Sequence, residues 1–135
     1  MDLSRLRTGL VGLAELLVAD EHTAPRVGSG KVRVLATPVM INLIEAAALD
    51  CAEGLLPPGH QSLGIRLDIR HFAATPVGMT VRARAELVSI DGRTLSFRVS
   101  AEDARETIGD GAHERVVVNV ERFDARINRK LVDRP

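Results

Sequence analysis

The sequence contains no tryptophan, no tyrosine and only three phenylalanines, and its eighteen Lys and Arg are balanced by eighteen Asp and Glu. With no basic excess to track phosphates and few aromatic faces for bases to stack on, the composition argues against nucleic-acid binding. The single cysteine, Cys51, excludes an internal disulfide, and together with four His it shows no spaced metal-ligand cluster. Long apolar runs are missing too. Glu15, Glu45 and Asp50 interrupt the apolar stretches before any reaches the ~20 residues of a membrane span. The opening MDLSRLRTG is too polar for a secretory signal. These absences predict one cytoplasmic domain over residues 1–135, without a membrane or nucleic-acid partner.

What is present is an apolar fraction of 45%, enough for a sizeable core in a chain of 135 residues. Gly9 to Val18 is short and apolar and reads as a strand. It is followed by the turn-rich HTAPRVGSG and a brief alternation over Lys31, Val32, Arg33 and Val34. Thr37-Pro38 is a helix start, with Thr37 as N-cap and Pro at the first helical position. Residues 38–56 carry only Asn42, Glu45, Asp50 and Glu53 as strongly polar side chains, so a helix of about five turns should run to the Pro57-Pro58-Gly59 breaker.

Beyond that breaker the period changes to two. Leu63, Ile65, Leu67 and Ile69 alternate with Gly64, Arg66, Asp68 and Arg70, a half-buried strand that continues to His71. Strands over Thr80–Ile90, Leu95–Ala101 and Val116–Phe123 follow. They are separated by an Asp91-Gly92 hairpin signal and by a turn at GDG, residues 109–111. Residues 126–135 are polar and expected to fray. A helix apolar almost all round must be covered on several sides. A curved antiparallel sheet wrapped around it, a four-strand meander completed by the early strand, is the α+β hotdog layout. An exposed edge in such a small sheet also favours pairing as a dimer.

Two side chains do not fit their surroundings. Glu45 lies off the polar arc of the helix, with Ile41, Ala48, Leu49 and Ala52 around it, where desolvation raises a carboxylate pKa unless a donor compensates. A boundary Glu reaching to water is the plainer account. His71 extends the inward register of its strand and needs a partner, either a backbone carbonyl or Glu45. Thr37 is accounted for as a cap, although a hydroxyl at a helix start also suits carbonyl polarisation. Gly64 permits close backbone approach. Cys51 reads as core. His22, His60 and His113 read as solvated, and Arg66 and Arg70 as an outward face.

Thr37 with Glu45 eight residues on, SLG at 62–64, His71 within HFAATPVGMTV, and the later GDGAHERVVVNVERFDA together resemble the hotdog-fold thioesterases, within them the fluoroacetyl-CoA thioesterases. The resemblance runs from His22 to Ala125. It implies an acyl-CoA thioesterase that needs no cofactor or metal and works as a homodimer or higher oligomer, with the active site at the subunit interface. Thr37, Glu45 and His71 would be its catalytic set and Gly64 a substrate-binding backbone position. Glu45 would act as nucleophile or general base, His71 in proton transfer, and Thr37 in polarising the thioester. Spacing agrees with a shared site: Gly64 and His71 lie ~23 Å apart along one strand, and Thr37 and Glu45 ~12 Å apart along one helix.

One departure marks this chain. Fluoroacetyl-specific members carry phenylalanines just before the Thr, whereas PRVGSGKVRVLA here has no aromatic, which implies a different acyl group. A non-catalytic acyl-CoA binding protein is the alternative. An enoyl-CoA hydratase is a weaker one, because residues 38–59 lack the His such helices carry.

Overall fold

The computed structural model describes residues 1–132. Strand β1 (Val11–Leu17) comes first, then a one-turn helix α1 (Ala24–Val27), the long helix α2 (Thr37–Ala52), and strands β2 (His60–His71), β3 (Thr80–Asp91), β4 (Thr94–Glu102) and β5 (Thr107–Asn119). Helix α3 (Val120–Val132) ends the described chain. The strands form one antiparallel sheet in the order β1-β3-β4-β5-β2. Its concave face packs on α2, whose Met40, Leu43, Ile44, Ala47, Ala48, Cys51 and Ala52 are buried. This is the hotdog layout.

Alternation explains the covering. Val81, Ala83, Ala85 and Leu87 of β3 and Leu95, Phe97, Val99 and Ala101 of β4 are buried at every second position. Small residues set the depth of contact. A Cβ at Gly12 of β1 would overlap the Ala47 carbonyl and the Cys51 amide of α2, so strand and helix touch backbone to backbone.

Several details depart from expectation. The meander has three strands, because β2 lies beyond β5 at the far edge and its chain crosses back through residues 72–79 to enter β3. A period-two pattern marks a strand but does not say which strand lies beside it. The GDG at 109–111 sits inside β5 instead of in a turn: Gly109 faces Met40, where a Cβ would collide, so its smallness serves packing. Val120–Phe123, expected to close the last strand, opens α3, with Asn119 Oδ1 accepting the Arg122 amide at 3.0 Å. The tail expected to fray from residue 126 is helical to Val132, and residues 133–135 lie outside the described residues. Lys31–Val34 forms no strand; Leu35 alone bridges Thr23. The β3–β4 hairpin turns on Gly92-Arg93, with Gly92 at φ 59°.

The alternation of β2 is interrupted as well. Gly64 pairs with Arg115 and Arg66 with Glu114, which leaves Ile65 as an extra, bulged residue. Ser62 and Gly64 therefore share the concave face with Leu67, Ile69 and His71, while Leu63 falls on the other side. No helix among the described residues is long and apolar enough to cross a membrane.

Replacing Gly12 with Ala forces β1 away from α2 and should cost at least about 2 kcal/mol, as overpacked cores do. A urea titration of the wild-type and Gly12→Ala proteins measures it.

Candidate active site

The expected site residues fall into two groups at opposite ends of β2. At one end Thr37 is not the cap. Ala36 holds the N-cap position and Thr37 is the first helical residue, with no capping hydrogen bond from its side chain. Its hydroxyl is thereby released to meet His71 Nδ1 at 2.8 Å. The Leu35 amide donates to the Thr75 carbonyl at 2.9 Å, tying the helix entry to the chain just after His71. His71 Nε2 is enclosed and has no hydrogen-bond partner among the described residues. Burial pushes this imidazole below its ordinary pKa, so the ring is neutral at pH 7. A pocket of about 270 Å³ opens beside the pair, lined by Val32, Val34, Leu35, Phe72, Ala73 and Ala74 among others.

At the other end stands Glu45. It does not reach His71 of its own chain. Its Oε2 accepts from Arg115 Nη1 at 3.2 Å, and Oε1 has no hydrogen-bond partner among the described residues. Gly64 is what lets the carboxylate in: a Cβ there would stand 2.8 Å from Glu45 Oε2 and 3.2 Å from the His113 ring. Any larger residue displaces the carboxylate from Arg115.

Arg115 was not anticipated, and it organises this half. Its guanidinium is only 7% exposed. Nε donates to Ser62 Oγ at 2.8 Å, Nη2 to the Ser62 carbonyl at 3.1 Å, and Nη1 approaches His113 Nε2 at 3.1 Å. Ser62 in turn donates its hydroxyl to Glu53 at 2.7 Å. His113, expected to be solvated, is 1% exposed and stacks on Phe97. Its Nδ1 lies 2.8 Å from the Arg66 carbonyl, which can only accept. The proton therefore sits on Nδ1, and Nε2 accepts from Arg115. Burial lowers the His113 pKa, reinforced by Arg115, so its 4.0 Å approach to Glu45 is no ion pair. The missed signal was periodic: His113 and Arg115 share the register of buried Val117 in β5.

Cys51 is buried, with its thiol on the Leu10 carbonyl at 3.3 Å, a core position as expected. Arg66 and Arg70 pair outward with Glu114 and Asp110. Among the described residues no group of three or more His, Cys, Asp or Glu side chains is arranged to hold a metal ion.

One half thus offers a neutral imidazole bonded to a hydroxyl, and the other a cation-anchored carboxylate with a free oxygen. That is the equipment for moving protons at a carbonyl. Arg115→Met strips Glu45 of its cation and Ser62 of a donor, so it should cost about 2–4 kcal/mol in chemical denaturation. Glu45→Gln, which keeps an oxygen for Arg115, should cost less than about 1 kcal/mol.

Residues 18–121 match the profile of the family described as fluoroacetyl-CoA-specific thioesterase. The fluoroacetyl-CoA thioesterase of Streptantibioticus cattleyicolor is 46% identical over 97 residues, which cover 72% of this chain and 70% of that protein. The solved structure of the fluoroacetyl-CoA thioesterase FlK is similar with a TM-score of 0.87 and 37% identity, over 93% of this chain and 97% of that one. A thioesterase superfamily member from Thermus thermophilus is similar at 28% identity, TM-score 0.85, over 91% of each chain. A hot-dog-like protein from Thermanaerovibrio acidaminovorans, 20% identical with TM-score 0.87 over 96% and 97%, shares the fold. The family match spans most of the chain and its solved relatives share the architecture, so this protein belongs to the fluoroacetyl-CoA-specific thioesterase family and is a thioester hydrolase.

Proposed function

We propose that the protein hydrolyses an acyl-CoA thioester to a carboxylate and free CoA, at a site assembled from two copies of the chain. One observation carries this reading: both half-sites lie on the same face of β2, an edge strand with no neighbour on its outer side among the described residues. Leu63, Ile65 and Leu67 along that edge are 38, 54 and 46% exposed. An apolar, unpaired edge of this kind is suited to pairing with a second copy. In an antiparallel pair with Gly64 set opposite His71, eight residues of each strand form a ladder. Thr37 and His71 of one chain then face Glu45 and Gly64 of the other.

In the assembled site Glu45 acts on the thioester carbonyl as nucleophile or as general base for water. Arg115 anchors and aims the carboxylate. Thr37 polarises or positions the carbonyl, and His71, neutral at rest, takes up a proton released by the attacking water and passes it to the departing thiolate. The pocket beside Thr37 and His71 receives the acyl group. Its apolar walls are Val32, Val34, Leu35 and Phe72, with Ser29 and Lys31 as further polar lining, and at about 270 Å³ it exceeds what a two-carbon acyl chain fills. Together with the aromatic-free segment before Thr37, this supports an acyl group larger than fluoroacetyl. The relative from Streptantibioticus cattleyicolor is named for fluoroacetyl-CoA. Thiol release across acyl-CoAs of rising chain length, fluoroacetyl-CoA included, tests the choice.

Glu45→Gln should lower kcat by about two to four orders of magnitude, as loss of a proton-transfer group does. A variant that keeps full activity removes Glu45 from the chemistry. Mixing inactive Glu45→Gln and His71→Ala proteins should restore about a quarter of wild-type activity, because half the re-formed dimers carry one intact shared site. No recovery after subunit exchange would place each site within a single chain. The neutral form of His71 is the working one and its pKa is depressed, so the acid limb of kcat/KM should lie below pH 6.5. A pH–rate profile reads it directly.

A further inference from the structure

Three arginines outside the catalytic groups converge on one pocket. Arg93 stands at the tip of the β3–β4 hairpin, and Arg122 and Arg126 lie one turn apart on α3. With Val118, Asn119 and Phe123 they line a cavity of about 240 Å³. Their supports are fixed. The Val117 amide donates to the Arg93 carbonyl at 2.8 Å, the Val120 amide to the Gly59 carbonyl at 2.9 Å, and Asn119 caps the first turn of α3.

Arg26, Arg33, Arg66, Arg70, Arg82, Arg84 and Arg115 all have carboxylate partners. Among the described residues Arg93, Arg122 and Arg126 have none within 4.0 Å, as is also true of Arg5, Arg7, Arg98, Arg105 and Arg129, but these three share one cavity. Glu121 and Asp124 point away from this pair of arginines around the helix, at 100° per residue. In a chain with no net charge, three unneutralised guanidinium groups at one concave spot form a local field suited to a polyanion. Their planar forks match phosphate oxygens, and Phe123, half-buried in the same pocket, offers a face on which a base can lie.

Resting on the thioesterase reading, we propose that this pocket seats the phosphorylated nucleotide end of CoA. Asn119 is four residues beyond Arg115 on β5, ~13 Å along the strand. The cluster thus lies at the same end of the sheet as Glu45 and Gly64, within the span of a pantetheine arm reaching from thioester sulfur to diphosphate. Arg122 and Arg126 fall beyond residues 18–121, so this subsite draws on α3, outside the matched family segment.

The test uses two substrates with one acyl group, acyl-CoA and the acyl-pantetheine thioester that lacks phosphates. Arg93→Gln, Arg122→Gln and Arg126→Gln are exposed changes expected to leave the fold intact. Each should raise KM for acyl-CoA about tenfold with kcat unchanged, in line with the strength of charged hydrogen bonds, and leave acyl-pantetheine untouched. Adenosine 3′,5′-bisphosphate should bind the wild type in calorimetry and bind the triple variant at least about tenfold more weakly. Equal KM values for acyl-CoA in wild type and variants overturn the proposal, as does a bisphosphate that fails to bind. An arginine-dependent KM confined to an acyl-carrier-protein thioester overturns it too. Turnover of neither thioester would sink the thioesterase reading, while bisphosphate binding would still report on this pocket.

Discussion

The buried guanidinium of Arg115 is the interaction on which the rest of the site depends. It reaches from the last strand to the edge strand through Ser62 and to the central helix through Glu45, fixing three elements at one point. A charge so deeply placed is tolerable only when its donors are used, and here four contacts use them. The same contacts leave Glu45 with one oxygen committed and one free. Structural satisfaction and chemical readiness are two ends of a single carboxylate.

The order of the sheet follows from covering α2. A helix that buries one broad face, from Met40 to Ala52, needs a curved wall, and the wall is made of alternating residues whose inner members are small where the helix comes closest. Gly12 and Gly109 sit at two such places. At the β2 edge this covering runs out. Leu67 stays exposed on the concave face, although it lies in register beside buried His113. The covering is thus left unfinished along the edge where both half-sites lie.

Much of this was legible in the sequence, for identifiable reasons. The long helix, the early strand and the hairpin at Gly92 are local signals, and local chemistry decided them. Glu45 and His71 stood out because each is polar on an apolar face. Their separation did not, since periodicity places a residue on a face without saying which strand lies beside it. Arg115 and His113 were hidden among valines, and only the pairing of β5 with β2 shows what they touch. Thr37 was given a capping role because Thr before Pro ordinarily has one. Ala36 caps by backbone alone and leaves the hydroxyl for His71. α3 was missed although Val120, Phe123, Ile127 and Leu131 recur at helical spacing, because that stripe begins within the alternating run that leads on from β5 and none of its residues is buried against the core.

Gly64 and His71 are seven positions apart, one even and one odd, and in an uninterrupted strand they would show opposite sides to the helix. The extra residue at Ile65 changes the parity of the strand partway along. The face on which catalysis depends is therefore defined by counting as much as by chemistry. A one-residue deletion between Gly64 and Arg66 would conserve every functional side chain and still turn half of them outward, so a relative lacking that residue could keep each motif and lose the site.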